Sequence, residues 1–192
     1  MRWLTQKKGM FKCQDGATAI EFAVLAPILF LIVFAIIEFS LILSASMVVE
    51  SSTNISSRLG KTGYTEAGQS RQDMIYQLVR DKSHGLLNPD YITINTKSYS
   101  DLTNINQPEP YTDSNNNHVH DSNETYNDIN GNGQWDADMG ATGLGGADAI
   151  VVYTVSYNWQ IKTPIFRELI GGTTGTFPIS STVVVKNEPY DQ

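Results

Sequence analysis

A single apolar run near the amino terminus constrains this chain more than any other feature of its sequence. Between Glu21 and Glu38, residues 22–37 carry no charge, and the sequence stays mostly apolar as far as Val49. A helix rises about 1.5 Å per residue, so about 20 apolar residues are enough to cross a bilayer. The run therefore predicts one membrane-spanning helix. Its two flanking carboxylates need an explanation, because charge is costly in lipid.

Charge differs sharply between the two sides of the apolar run. Residues 1–16 contain four bases and one acid, whereas residues 51–192 contain sixteen acids and nine bases. Because basic residues are retained in the cytoplasm, we expect the amino end to stay inside and the remainder to be exported. The exported part has no cysteine, since Cys13 is the only one in the chain. Its acidity argues against nucleic acid as a partner.

Two ordinary explanations of the run compete. A cleaved signal peptide is one, because Ser44, Ala45 and Ser46 are small enough for a cleavage site, although the run is long and Glu38 interrupts it. A plain signal anchor is the other, and it gives Glu21 no purpose. A lipoprotein is excluded, because a lipidated cysteine follows its apolar run and Cys13 precedes this one.

The residues that lead into the run fit a third explanation. The stretch GATAIEF, residues 16–22, follows a basic leader and resembles the processing site of type IV prepilins. The next stretch, APILFLIVFAIIEFS, and the carboxy-terminal STVVVKNEPY are similar to TadE-like pseudopilins of the tight-adherence (Tad/Flp) pilus system. The resemblance covers both ends of the chain and leaves the middle unaligned.

This resemblance implies how the amino end is processed. A membrane-bound prepilin peptidase would cut after Gly16, so residues 1–16 would be a cytoplasmic leader and Ala17 the mature terminus. Glu21 would serve assembly, because the α-ammonium group of a neighbouring subunit would neutralise its carboxylate inside the membrane.

The resemblance also implies a function and a location. It implies a minor pilin or pseudopilin, with no enzymatic activity, that acts in pilus assembly or at the fibre tip. Such a protein crosses the bacterial inner membrane once, with its amino terminus in the cytoplasm and its carboxy-terminal domain in the periplasm or in the extracellular pilus. Its partners would be the prepilin peptidase, other pilin or pseudopilin subunits and the membrane.

Glu38 has two possible roles in this scheme. It follows Glu21 by seventeen residues, about 25 Å along a helix, so it is expected near the exported face of the membrane. There its carboxylate either reaches water or contacts a neighbouring subunit.

Beyond the membrane the pattern predicts a pilin-like α+β domain. Residues 17–60 are expected to form the membrane-spanning and extended helix, which Gly60 and Gly63 stop, and residues 61–192 the exported domain. Ser70–Lys82 places apolar residues on one face of a second, amphipathic helix. Alternation with a period of two predicts strands at 91–99, 151–161 and 177–186, the last with Phe177, Ile179, Val183 and Val185 on one side. These elements predict a small antiparallel sheet covered on one face.

A long acidic loop insertion, residues 100–148, interrupts this domain. From Ser98 to Gln160 the chain has no Lys or Arg but nine acids. A segment of this composition and length is either disordered or organised by a bound ligand.

One stretch of the insertion predicts a calcium loop. In DINGNGQWDAD, oxygen-bearing side chains alternate around a glycine at the sixth position, as in the first half of an EF-hand loop. The expected ligands are Asp128, Asn130, Asn132, Gln134 through its backbone carbonyl, Asp136 and Asp138. Met139 stands at the twelfth position, where an EF-hand has a bidentate Glu, so a solvated turn without an ion is the alternative.

Signals for other chemistry are few. His118 and His120 are either metal ligands or a solvated pair, and we favour the latter in a polar loop. With three histidines and one cysteine, the sequence offers no nucleophile–base pair in a motif context. The rival to the pilin hypothesis is a membrane-anchored, calcium-dependent adhesive or ligand-binding domain. An exported hydrolase is the third alternative.

Overall fold

The computed structural model describes residues 14–62, 68, 70–83 and 85–189. The basic residues of the leader, Cys13, Gly63, His84 and Tyr190 lie outside this part of the chain.

Within the described residues, the regular structure consists of three α-helices, four strands and two short 3-10 helices, Pro89–Tyr91 and Leu102–Asn104. The helices are α1 (Gln14–Lys61), α2 (Arg71–Lys82) and α3 (Pro164–Ile170). The strands are β1 (Ile92–Tyr99), β2 (Ala141–Thr142), β3 (Ile150–Gln160) and β4 (Thr176–Lys186). The predicted α+β class is thereby confirmed, with a long apolar helix, further helices and a small antiparallel sheet.

Helix α1 has two halves in different surroundings. Its first half runs through Pro27 and leaves large apolar side chains exposed, and only 6% of its most apolar window is buried. This half is long and apolar enough to cross a membrane. A bilayer would also cover the apolar surface that is unfavourable in water. The second half, from Ile42 onward, packs against the sheet and α2 through Ala45 and Val49.

The sheet has the strand order β2-β1-β3-β4, and all its pairs are antiparallel. In β3 the alternating side chains that the sequence predicted to face the core are buried. They are Val151, Tyr153, Val155, Tyr157 and Trp159. Pro178 lies on β4, an edge strand, where its missing N–H does no harm.

Gly60 differs from its predicted role as a helix stop. It lies inside α1, and a Cβ atom there would come within 1.7 Å of the Tyr153 Oη atom. Close approach of the helix to the sheet therefore explains this glycine.

Two predictions about the sheet need correction. Phe177 was expected on the inner face of β4 but is 39% exposed. Three strands and two helices were predicted, whereas the structure has a fourth strand, β2, and a third helix, α3.

Each end of the sheet lies beside a different part of α1. Trp159, near the end of β3, lies beside Glu38, whereas the N–H of Glu188, just after β4, donates to the Lys61 carbonyl over 3.0 Å. The β1–β3–β4 register places Tyr99, Ile150 and Lys186 together at the Lys61 end. We call this end of the sheet the distal end, because it is remote from the apolar half of α1.

Candidate functional sites

The candidate processing and assembly residues lie at the start of α1. Gly16 and Ala17 belong to its first turn, and Glu21 lies one turn further on. The Glu21 side chain is exposed, and its neighbours Ile20 and Phe22 are 68% and 60% exposed. A carboxylate on an exposed apolar helix surface is available to a cation on another molecule.

Glu38 is buried within its own chain, which was neither of its two predicted roles. Its side chain is 3% exposed. Trp159 Nε1–H donates to Oε1 over 3.1 Å, and the Lys162 N–H lies 3.2 Å from both oxygens. The Thr163 N–H and Oγ1–H donate to Oε2 over 2.9 and 2.8 Å. The carboxylate therefore joins α1 to the segment that begins α3.

Replacing Glu38 by alanine should lower the free energy of unfolding by about 2 to 4 kcal/mol, because it strands several donors that the carboxylate satisfies. Urea unfolding of the full chain in detergent measures this change. Hydrogen exchange at the Lys162 and Thr163 amides should rise at the same time.

Glu50→Ala is the matched control, since Glu50 is an exposed carboxylate on the same helix. Its effect should stay within about 0.5 kcal/mol. Equal losses in the two variants would show that the hydrogen bonds to Glu38 add nothing to stability.

The acidic insertion contains two loops of the same construction. We call Asp113–Glu124 the first loop and Asp128–Asp136 the second loop. The second loop was predicted from sequence as a calcium loop, whereas the first was not.

The second loop wraps its backbone around an aspartate at its start. Asp128 accepts hydrogen bonds from the N–H groups of Gly131, Asn132 and Gly133 over 2.7 to 3.2 Å. The side-chain amides of Asn130 and Asn132 both donate to Asp136 Oδ2, over 2.8 and 2.5 Å. Three of the predicted side chains, those of Asn130, Asn132 and Asp136, thus meet, while Asp128 holds the backbone turn that carries them.

A glutamate that precedes both loops closes the second one. Glu109 is fully buried, and its Oε1 accepts from the N–H of Ile129 over 2.8 Å while its Oε2 accepts from that of Asp136 over 3.1 Å. Met139 leaves the twelfth position of the loop without a carboxylate. Glu109 supplies one from elsewhere in the chain.

The first loop repeats most of these hydrogen bonds at equivalent positions. Asp113 accepts from the N–H groups of Asn117 and His118, and the amides of Asn115 and Asn117 donate to Asp121 Oδ2 over 2.7 and 3.0 Å. Its closing glutamate is Glu124, the twelfth residue of the loop. Glu124 Oε1 accepts from the Ser114 N–H over 2.8 Å, and Oε2 accepts from the Asp121 N–H over 3.1 Å.

The two loops pack against each other as a pair. Tyr111 and Tyr126 form an antiparallel bridge just before each loop. The rings of His120 and Trp135, the eighth residues of the two loops, stack with centroids 4.4 Å apart. The Trp135 Nε1–H donates to the Glu109 carbonyl over 2.9 Å. The pair is therefore one unit in which each loop supports the other.

Hydrogen bonds hold the loop carboxylates in their charged forms. The His118 N–H is the main cause that lowers the pKa of Asp113, and the Asp121 and Ser114 N–H groups lower the pKa of Glu124. The side-chain amides of Asn130 and Asn132 lower the pKa of Asp136. These acids therefore keep their negative charge to lower pH than ordinary carboxylates.

Asp138 has a different position from the other predicted ligands. Its Oδ2 pairs with Lys97 Nζ over 2.6 Å, and the Tyr99 hydroxyl donates to its Oδ1 over 2.9 Å. Burial opposes ionisation of Asp138, but these two hydrogen bonds hold its pKa below the ordinary value. Burial and the neighbouring carboxylate raise the pKa of Tyr99 to about 12. Asp138 thus anchors the insertion to β1.

The two histidines of the insertion have different surroundings. The His118 side chain is 91% exposed, and its backbone has a positive φ of 60°. His120 packs edge-on to Tyr111 and Tyr126 in addition to its stack on Trp135. Within the described residues, no group of three or more His, Cys, Asp or Glu side chains is placed to hold a metal ion.

Sequence reasoning missed Glu109 and the whole first loop. The signal that could have found them is a repeat of fifteen residues. Its common pattern is Glu-x-Tyr-x-Asp-x-Asn-x-Asn-x-x-x-Asp, which begins at Glu109 and again at Glu124. A glutamate four residues before each loop closes the other loop.

Comparison with known proteins gives one match. A family model described as TadE-like protein matches residues 16–58, which are nearly all of α1 and include Gly16, Ala17, Glu21 and Glu38. A search of curated proteins and a search of solved structures found no match. The sheet and the acidic insertion lie outside the matched segment. The match confirms the resemblance seen in the amino-terminal residues and shows that this segment of the chain is similar to TadE-like proteins.

Proposed function

We propose that this chain is a minor pilin or pseudopilin of a tight-adherence pilus, matured by a prepilin peptidase and active in pilus assembly or at the fibre tip. The observation that carries the proposal is α1. The family match begins at Gly16, and the same helix first exposes an apolar surface of membrane length and then enters the core of an exported domain.

The packing of α1 also argues against a cleaved signal peptide. A cut after Ser46 would remove Ile42 and Ala45 from the core, and it would remove Glu38 from Trp159 and Thr163. The exported domain would lose part of its own structure. A cut after Gly16 leaves all these contacts in place.

Mass spectrometry of the mature amino terminus tests the proposal. We expect the chain from its native membrane to begin at Ala17. A terminus at Met1, or one just after Ser46, would overturn the proposed maturation.

Replacing Glu21 by alanine should leave membrane insertion intact, because it removes a costly carboxylate, yet it should impair assembly with other subunits. A loss of pilus production of about tenfold or more is expected if this carboxylate pairs with a neighbouring ammonium in the membrane, where an uncompensated charge is costly. Membrane fractionation, pilus yield and subunit crosslinking measure the three effects.

Glu50→Ala is again the control, since Glu50 lies on the same helix beyond the apolar run. Unchanged pilus yield and crosslinking in Glu21→Ala would show that Glu21 has no part in assembly.

We further propose that the paired loops bind calcium. Calcium prefers carboxylate, amide and carbonyl oxygens, and EF-hand loops offer them at the first, third, fifth, seventh, ninth and twelfth positions. The proposed ligands of the second loop are Asp128, Asn130, Asn132, the Gln134 carbonyl, Asp136 and Glu109, which takes the place first given to Asp138. Those of the first loop are Asp113, Asn115, Asn117, the Val119 carbonyl, Asp121 and Glu124.

The charge balance of the insertion supports this proposal. Glu109 and Glu124 are 0% and 7% exposed, and they accept hydrogen bonds mainly from backbone N–H groups. Each loop therefore gathers carboxylates whose mutual repulsion a divalent cation would offset. The asparagine amides now donate to Asp121 and Asp136, so binding requires them to turn their oxygens toward the ion.

The position of the loops suits a contact surface. The insertion leaves the sheet after Tyr99 and is anchored by Lys97, both toward the distal end. A rigid, calcium-bound unit there would be displayed away from the membrane. This favours the second candidate function, a calcium-dependent adhesive or ligand-binding domain, which is compatible with a place at a fibre tip. Calorimetry of the full chain in detergent, with calcium at millimolar concentration, tests it.

A further inference from the structure

Helix α3 exposes an apolar surface that the fold leaves uncovered. Ile165, Leu169 and Ile170 are 60%, 73% and 51% exposed, whereas Phe166 points into the core. They share the exposed surface of this seven-residue helix with Pro164, Arg167 and Glu168. Such a cluster on an exported domain indicates an interaction surface.

The hydrogen bonds to Glu38 determine where α3 lies along the length of α1. Thr163, the residue before α3, donates to Glu38 through both its N–H and its hydroxyl. Glu38 directly follows the uncharged residues 22–37. That stretch covers about 24 Å at 1.5 Å per residue, which is shorter than a hydrocarbon core of about 30 Å. Because the stretch is not longer than the hydrocarbon core, Glu38 and α3 lie no further from the membrane centre than the exported edge of that core.

An open groove continues the apolar surface from α3 onto α1. It is lined by Ile36, Phe39 and Ile42 of α1 and by Phe166, Leu169 and Ile170 of α3. Phe39 is 63% exposed, so the apolar surface is continuous with the membrane-spanning face.

The charges around α3 favour lipid over a second copy of this acidic chain. The exposed bases Lys162 and Arg167 lie just before α3 and within it and outnumber its one acid, Glu168, in a domain where acids outnumber bases. Basic residues beside an apolar helix face are typical of segments that lie at the surface of an anionic bilayer.

We propose that α3 lies in the interfacial region of the same bilayer that α1 crosses, with Ile165, Leu169 and Ile170 in contact with lipid. The proposal rests on α1 acting as the membrane anchor. The domain is then held by two points, the spanning helix and α3, which Glu38 joins. Its sheet stands on the membrane at a fixed tilt, with the paired loops at the opposite end.

Fluorescence quenching in vesicles tests this contact. The full chain with Cys13→Ser is labelled with an environment-sensitive fluorophore at a single cysteine, by Ile170→Cys on α3, Val184→Cys at the distal end, or Ile32→Cys in the apolar run. Each form is reconstituted in phosphatidylethanolamine–phosphatidylglycerol vesicles that contain nitroxide-labelled lipid. Because interfacial helices bury their apolar face by about 5–10 Å, quenching at position 170 should be about threefold stronger than at position 184.

The three positions separate the possible outcomes. Strong quenching at 32 with equal, weak quenching at 170 and 184 would overturn the α3 proposal and leave the anchor intact. Weak quenching at all three would overturn the anchor and the α3 contact together. If the fluorophore at position 170 reports an apolar environment only at high protein density, and labelled lipid does not quench it, the surface contacts a second copy of the chain and the lipid contact is overturned.

A variant of the apolar face completes the test. Ile165→Ser with Leu169→Ser should reduce quenching at position 170 to the level at 184 while quenching at 32 stays unchanged. Glu168→Gln, which alters a charge on the same helix, is the matched control and should leave quenching at 170 high. Unchanged quenching at 170 in the double-serine variant would show that these side chains do not hold α3 at the membrane.

Discussion

Replacing Gly16 by valine is expected to abolish maturation, so that the chain accumulates with its leader, residues 1–16, still attached. The proposed cut lies between Gly16 and Ala17, and a branched side chain should not fit where the peptidase accepts glycine. The bond lies in the first turn of α1, where helices open at least cost. Valine also favours the helix more than glycine does, and this opposes opening as well. Intact-mass measurement of the membrane-extracted chain detects the retained leader directly.

Two glycine variants separate side-chain bulk from general disturbance of the leader. Gly9→Val places the same side chain elsewhere in the leader and should mature normally. Gly16→Ala adds a single methyl group at the cut, and we expect partial maturation. Normal maturation of Gly16→Val would show that the peptidase does not cut at this glycine.

The parts of the fold that depend on local pattern could be predicted from the sequence. Helix α1 follows from a continuous apolar run and β3 from alternation over eleven residues, since both periods are properties of neighbouring positions. Helix α2 begins at a serine cap, with the Ser70 hydroxyl accepting from the Asp73 N–H over 3.1 Å. The α+β class follows from these elements.

Other parts depend on contacts between distant residues. Glu38 and Trp159 are 121 positions apart, so no local pattern could show that the carboxylate would be buried. Strand β2 has two residues and exists only through its register with β1. Helix α3 is short, and the Thr163 hydroxyl bonds to Glu38 instead of capping it. Pro164 at its first position was the available signal.

The geometry of the second loop was only partly predicted, because residues that could close it were sought in one direction along the chain, and calcium binding by it stays a prediction. Met139 at the twelfth position weakened the hypothesis, yet the closing carboxylate comes from Glu109, before the loop. A ligand set shared between two segments cannot be recognised from one of them. Comparison of the insertion with itself at a spacing of fifteen residues would have revealed both loops.

Calcium binding by the full chain should have a stoichiometry of two and should be lost one site at a time. Titration in detergent should give dissociation constants of about 10⁻⁴ to 10⁻³ M, the range of extracellular modules. Because the closing glutamates are exchanged, Glu109→Gln should remove the second-loop site and Glu124→Gln the first-loop site, each leaving about one ion bound. Asp128→Ala with Asp136→Ala should remove the second site completely, whereas Asp148→Asn, at an exposed acid outside both loops, should keep two.

The glutamine variants preserve side-chain shape, and circular dichroism without calcium checks that they fold. No binding heat at millimolar calcium, or the same heat after the double aspartate substitution, would leave the insertion as polar turns held by their own hydrogen bonds.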